Sequence, residues 1–194
     1  MMIEKRRGMV SEIRRQCSRI IPDPAGPPGS GVRFLYSLLL MLLLPLVLVR
    51  LLVRGRRNRG YWQRWNERFG FVPVQREPVI WIHAVSVGEV RAAAPLVRAL
   101  RARQTSRILI TTMTPTGSLT VQQLFGHDVA HSYVPYDLPG AVHRFLGRTR
   151  PQLALIMETE LWPNLFHACR ARGIPLVVAN ARLSEKSARG YARF

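Results

Sequence analysis

The stretch PVIWIHAVSVGEVRAAA, Pro78 to Ala94, decides how the rest of the chain is read. Val79-Ile80-Trp81-Ile82 is an apolar run rich in β-branched residues, short enough for a buried strand. It breaks at Ser86-Val87-Gly88-Glu89. The chain then resumes with Ala93, Leu96, Val97 and Leu100 at helical spacing, so the stretch reads as strand, tight turn, helix. Gly88 lets the backbone turn sharply and approach a ligand closely. The first N–H groups of the helix favour an anion nearby. Glu89 therefore stands where a carboxylate can face a crevice at the carboxyl end of a parallel strand, the ligand side of open α/β sheets. A first-turn Glu also complements a helix dipole with no further duty. The residues alone leave both readings open.

Working outward, residues 77–194 repeat this unit. Strands are predicted at 79–84, 107–112, 129–134, 153–157 and 176–179, with helices near 90–103, after the turn Thr114-Pro115-Thr116-Gly117, at 139–147, and after Glu158-Thr159-Glu160. Five strands joined by four short-linked crossovers imply a Rossmann-like α/β fold, a parallel sheet with helices on both faces. Right-handed crossovers follow from the twist of the strands. After Asn180-Ala181-Arg182-Leu183-Ser184 a further helix is predicted, with Ser184 as its cap. The strand that would complete this last crossover is not reached by Phe194, and the chain reads as a fragment.

Upstream, Phe34 to Val49 holds no charged residue. It is predicted as a membrane-anchor helix over 32–54, with Arg50 snorkelling and Pro45 kinking it. About 20 apolar residues are needed to span a bilayer, so spanning and interfacial placements compete. A core helix fits poorly because the segment has no polar face. No small-residue cleavage site follows, which argues against a removed signal peptide. Residues 55–76 then interleave Arg56, Arg57, Arg59, Arg64 and Arg68 with Tyr61, Trp62, Trp65 and Phe69, a composition suited to a headgroup layer on the cytoplasmic side. Residues 1–31, which end in IPDPAGPPGSG, are expected to form a disordered extension, from an upstream start codon or a flexible tail.

The formal net charge of +18 divides as +11 in residues 1–76 and +7 in the remainder. Such a chain wants an acidic partner. Anionic lipid or a phosphorylated substrate fits better than nucleic acid, since much of the excess flanks an apolar segment and no basic-aromatic nucleic-acid motif occurs. Cys17 and Cys169 form no CxxC, and Cys169 is expected as a small core residue. His127, His131, His143 and His167 show no metal-ligand spacing and read as surface or turn residues. His83 serves equally as a hydrogen-bonded core residue or a catalytic one.

Polar residues collect at the predicted strand ends: Ser86 and Glu89, Thr112 and Thr114, Asp137, Glu158 and Glu160, Asn180 and Arg182. Two carboxylates at strand ends can divide base and electrostatic roles. Equally, Glu160 can serve the helix start and Glu158 pair with an arginine. Thr116-Gly117-Ser118 offers a phosphate site at a helix start, but without the Lys and spacing of a P-loop. Asp137 in PYDLPG is most simply a cap or turn residue. Ser86, Gly88, Thr114, Thr116, Gly117, Asn180 and Arg182 are the candidate substrate-binding residues.

Five blocks occur in order: HAVSVGE (83–89), TTMTPTGS (111–118), YVPYDLPG (133–140), METELWPN (157–164) and NARLSEKSARGY (180–191). Together, with RGRRNRGYWQRWNERFG after the apolar segment, they resemble the 3-deoxy-D-manno-octulosonic acid (Kdo) transferases of lipopolysaccharide assembly over residues 33–194. The resemblance implies the N-terminal, acceptor-side half of a two-Rossmann-domain (GT-B) glycosyltransferase at the inner membrane. Such an enzyme moves Kdo from CMP-Kdo to a hydroxyl of the lipid A precursor, with inversion and no metal or other cofactor. It implies Glu89 as general base and Glu158, rather than Glu160, as transition-state stabiliser. The donor site lies mainly in a C-terminal half, so residues 1–194 alone are expected to be inactive. The competing reading is a non-catalytic membrane-bound module that recognises anionic lipid, and nucleic-acid binding is a distant third.

Overall fold

The computed structural model describes residues 30–103, 106–157 and 162–179. Helix α1 (Ser30–Arg57) leads through two short 3-10 turns, Arg59–Trp62 and Trp65–Phe69, into an alternation of strands and helices. These are β1 (Val79–His83), α2 (Val87–Arg103), β2 (Arg107–Thr112), α3 (Pro115–Phe125) and β3 (Ala130–Tyr133), then α4 (Pro139–Thr149), β4 (Pro151–Met157), α5 (Pro163–Ala171) and β5 (Leu176–Ala179). The five strands form one wholly parallel sheet in the order β3-β2-β1-β4-β5. The α/β architecture expected from the pattern is the one observed.

β1 lies at the centre because it can be buried on both faces, and all five of its residues are buried. Alternation sends Ile80 and Ile82 to one face, where they pack with Val90 and Val97 of α2, Ile108 and Ile110 of β2, and Val121 of α3. Val79 and Trp81 face the other way, onto Phe145 of α4 and Leu165 and Cys169 of α5. Trp81 and Phe145 meet edge to face at 5.0 Å between ring centroids. Cys169 is fully buried in this cluster, and burial pushes its thiol up to about 12. It is the core residue its position implied.

Element boundaries shift from the pattern where capping and proline chemistry intervene. α2 begins at Val87, three residues before the apolar periodicity starts, because Ser86 and Glu89 build its first turn. Helices α3, α4 and α5 each place a proline in the first turn, where its missing N–H costs nothing. β4 starts at Pro151, two residues early, and β3 is shorter than predicted. Pro45 sits inside an unbroken α1, which extends past both predicted ends of the anchor. Residues 1–29, with the expected disordered extension, lie outside the described residues, as does the predicted final helix after Ser184.

α1 is long and apolar enough to cross a membrane. It also carries a covered stripe, Arg33, Tyr36, Ser37, Leu40, Leu44, Leu48, Leu51 and Gly55, at helical spacing, while the residues between are exposed.

Candidate active site

Strand order reverses at β1: β2 and β3 lie to one side, β4 and β5 to the other. The carboxyl ends of β1 and β4 therefore flank the topological switch point, where open α/β sheets bind ligands. Ser86 and Glu89 stand immediately beyond β1. Met157 ends β4, so Glu158 and Glu160 follow it directly in sequence; both lie outside the described residues, as do Asn180 and Arg182 after β5.

The Glu89 carboxylate is held from two directions. Oε2 accepts a hydrogen bond from the Val85 backbone N–H at 2.7 Å, and Oε1 accepts one from Ser86 Oγ at 2.8 Å. The Glu89 N–H in turn donates to Ser86 Oγ at 3.3 Å. With Val90 N–H bonded to the Ser86 carbonyl, this is a reciprocal capping arrangement, Ser86 at the cap and Glu89 three residues on. The structural duty weighed for Glu89 is thus real. Glu89 is itself buried, 6% exposed. The same bonds that cap α2 fix the carboxylate's direction, which is what a positioned base requires.

Gly88 does not adopt the left-handed backbone that a sharp turn would need. It is the second residue of α2, and a Cβ there would meet Ser86 Oγ at an ordinary 3.8 Å. Its lack of a side chain leaves backbone open beside Glu89.

His83 is fully buried beneath this turn. Its Nδ1 lies 2.9 Å from Thr111 Oγ1, which also accepts the Trp81 indole N–H at 2.9 Å. Burial lowers its pKa to about 4, so it is neutral at pH 7. Trp162 closes over it edge to face. Of the two roles weighed for His83, the structure gives it the buried, hydrogen-bonded one.

The ends of β2 and β3 are occupied differently. Thr114 Oγ1 caps α3 by accepting the Gly117 N–H at 3.1 Å. Gly117 is close-packed on Thr112, which a Cβ would approach to 3.1 Å. Thr116 is exposed. The basic-aromatic segment folds back over these strand ends. Arg64 donates to Glu67 Oε1 at 2.8 Å and to the His131 carbonyl at 2.9 Å, and its NH1 sits 3.1 Å from His131 Nδ1. Glu67 Oε2 accepts the Tyr133 N–H at 2.8 Å. Arg68, only 2% exposed, donates to the Met113 carbonyl and lies 4.5 Å over the Tyr133 ring.

Two expectations are corrected here. Arg68 is buried in the domain and does not face a headgroup layer, while Arg64 is tied to Glu67 and His131 and keeps about a third of its side chain exposed. His131 is neither surface nor turn but a strand residue wedged between Thr112 and Arg64. Burial, reinforced by the Arg64 charge, lowers its pKa to about 3. With Arg64 donating to Nδ1, the ring proton sits on Nε2 and goes to Thr112 Oγ1. The sequence held a signal for this network: Glu67 is the one acidic residue between Asp23 and Glu77.

Comparison with known proteins now bears on the site. A family model described as 3-deoxy-D-manno-octulosonic-acid transferase (kdotransferase) matches residues 63–194. The chain belongs to the Kdo transferase family. It is 47% identical over 165 residues to the 3-deoxy-D-manno-octulosonic acid transferase of Haemophilus influenzae, covering 83% of this chain and 39% of that protein. It is 42% identical over 171 residues to the enzyme of that name from Bordetella pertussis, again 83% of this chain and 39% of the relative. The chain thus spans about two fifths of the length of these relatives.

The Kdo transferase match begins at Gln63, next to Arg64, so the buried arginine network lies within the family's domain. Within that domain Asp137 has a role its local sequence did not reveal. It does not cap α4, two residues away, but α5: Asn164 N–H donates to Oδ2 at 3.0 Å and Leu165 N–H to Oδ1 at 2.8 Å. Burial raises the Asp137 pKa, opposed by these two N–H bonds and by the Tyr36 hydroxyl. Asn164 donates to the Asp137 carbonyl at 2.6 Å and to Ser37 Oγ at 3.0 Å, so one buried cluster joins α1 to the starts of α4 and α5.

Proposed function

We propose that this chain is the acceptor-side part of a membrane-attached Kdo transferase that moves Kdo from CMP-Kdo to a hydroxyl of the lipid A precursor. Glu89 is the general base. The observation that carries the reading is the position and hold of its carboxylate: beside the β1/β4 switch point, with Val85 N–H on one oxygen and Ser86 Oγ on the other. As the acceptor oxygen attacks the anomeric carbon, its proton passes to Glu89, and the bond to CMP breaks on the opposite face, which inverts the centre. Glu158, following β4, supports charge in the transition state. Ser86, Gly88, Thr114, Thr116, Gly117, Asn180 and Arg182 are the proposed substrate contacts, with the exposed Thr116 hydroxyl at the start of α3 the one best disposed toward an acceptor phosphate. α1 and the arginines that follow it attach the domain to the cytoplasmic face of the inner membrane, where the lipid acceptor resides.

The test is transfer of Kdo from CMP-Kdo to lipid A precursor by a polypeptide extended to the length of its relatives, comparing the native sequence with Glu89→Gln. Loss of transfer with an intact fold supports the assignment. Transfer at the native rate by Glu89→Gln returns Glu89 to capping alone. Residues 1–194 by themselves should bind the acceptor, more weakly as salt rises, and turn over nothing. Turnover by a purified 1–194 sample free of host transferase would refute that division of labour.

A further inference from the structure

We infer that α1 does not cross the bilayer but lies in the plane of an anionic membrane surface, one side sunk to the acyl boundary and the other docked along its own α/β domain. This deepens the membrane attachment proposed above and rests on it.

The start of the apolar run is bonded to the α/β domain, and its end is held by a turn that abuts the same domain. Near the start, Ser37 is buried and bonded to Asn164 of α5, and the Tyr36 hydroxyl reaches Asp137. Near the end, Trp62 Nε1 donates to the Leu52 carbonyl at 3.2 Å. The Trp62 ring lies so close over buried Gly55 that a Cβ there would collide with Nε1. Gly60, two residues before Trp62, abuts Pro115 at the start of α3, which a Cβ would approach to 2.9 Å. Ser37 and Leu52 are fifteen positions apart, about 22 Å along a helix. A hydrocarbon core is about 30 Å thick. A spanning α1 would carry these two attachments toward opposite sides of the membrane, yet they meet one five-stranded domain.

Exposure around the helix agrees. Ser37, Leu44, Leu48, Leu51 and Gly55 form the covered stripe, and Leu35, Leu39, Leu42, Leu46, Val49 and Val53 form an exposed one opposite, at spacings of four and three. Leu35 is 65% exposed, Leu42 70% and Leu46 65%. Such a row of exposed large apolar side chains fits an acyl layer better than water. Arg50, Arg54 and Arg57 recur at helical spacing along one border of that row, all exposed, where long side chains can lift their guanidinium groups to lipid phosphates. A groove of about 390 Å³ runs between α1 and the starts of α4 and α5, walled by Phe34, Leu38 and Met41 with Arg33 and Asn164 at its polar side. Apolar walls beside one guanidinium match a lipid in the adjoining leaflet.

The decisive measurement is depth. In the 194-residue chain carrying Cys17→Ser, Leu35→Cys, Leu42→Cys and Val49→Cys are introduced singly and labelled with an environment-sensitive fluorophore. Each is reconstituted on vesicles of phosphatidylethanolamine and phosphatidylglycerol with lipids brominated at graded acyl depths. An in-plane helix gives quenching at the same shallow depth for all three, within about twofold of one another. A deep maximum at 42 with shallow flanks would be a spanning helix and overturns the proposal. Failure of the chain to float with the vesicles overturns the attachment itself as well, so the two failures are told apart. In spheroplasts of cells making the native chain, a membrane-impermeant maleimide should label Cys17 only after lysis. Labelling of Cys17 in intact spheroplasts would place the N-terminus outside and sink the in-plane reading without any introduced residue.

Discussion

The two halves of the sheet's carboxyl edge carry similar residue types and put them to opposite uses. At the ends of β2 and β3, Arg64, Glu67 and His131 bond one another, and with Arg68 they close the strand ends while Thr116 at the start of α3 stays exposed. At the ends of β1 and β4, Glu89 is held by one hydroxyl and one backbone N–H, beside a glycine that leaves the backbone open. Charge at a strand end is therefore no guide to chemistry. What separates the halves is where the strand order reverses. There the crossovers on either side of β1 leave in opposite directions, and the Glu89 carboxylate is oriented by a backbone N–H and a hydroxyl.

The largest effect that could break this comparison is at Glu89. In a polypeptide extended to the length of its relatives, Glu89→Gln should lower the transfer rate by about 10²–10⁴ while the unfolding midpoint moves little, since the amide oxygen can still accept one of the two bonds. A capping role alone predicts the reverse, a rate near native and a stability loss of roughly 0.3–1 kcal/mol. Initial rates at saturating CMP-Kdo and a denaturant titration on the same sample separate them.

On the closed half the effect should be on stability. Glu67→Ala removes the partner of Arg64 and the acceptor of the Tyr133 N–H, and leaves Arg64 pressed against His131. A cost of about 3 kcal/mol is expected, measured as a fall in the denaturant midpoint. A loss below about 1 kcal/mol would mean that the pair behaves as a surface ion pair and that the closed edge is not what holds β2 and β3.

The two buried histidines add a pH dependence. His83 and His131 are held neutral, with pKa values lowered to about 4 and about 3. The unfolded chain takes up their protons near pH 6.5. Below that the unfolded state binds more protons than the native one, so stability is whole above about pH 6.5 and declines as pH falls toward 4, by up to about 1.4 kcal/mol per pH unit for each ring. The Arg64 charge opposes a protonated His131, and the Thr111 hydrogen bond offsets only part of the burial of His83. His131→Gln should keep a partner for Thr112 and make the decline between pH 6.5 and 4.5 shallower. An unchanged slope would show that His131 protonates without cost.

Much of this was legible in the sequence, and the missing part has a common cause. The five strands, the parallel sheet and the place of Glu89 follow from periodicity and from the break at Ser86-Val87-Gly88-Glu89, because alternation reports which face of a strand is buried. Asp137 was recognisable as a cap but not its helix, since its partners at Asn164 and Leu165 lie 27 and 28 residues on. Arg68 read as a headgroup arginine because composition counts charges and cannot tell that Met113 and Tyr133 surround this one. The covered stripe of α1 was invisible for a related reason. Leu40, Leu44 and Leu48 are chemically the same as their exposed neighbours, and only Ser37 and Gly55 mark the docked side.

The smallest effect gives the closest match between the halves, because each side has one hydroxyl cap. Ser86→Ala removes the cap of α2 and Thr114→Ala that of α3, and each should cost about 1 kcal/mol of stability. The rates should diverge. Ser86 Oγ holds Oε1 of Glu89, so its loss frees the carboxylate to rotate and should lower the transfer rate several-fold, mainly in kcat. Thr114 Oγ1 contacts Gly117 N–H and the Thr116 hydroxyl, so its loss should act on acceptor binding and appear in KM. Ser86→Thr keeps a hydroxyl at the cap and should restore most of the rate, which a general loosening of α2 would not explain. Equal rate losses from both alanine variants, both in kcat, would mean that the two caps serve the sheet edge alike and that the β1 side has no special claim on the chemistry.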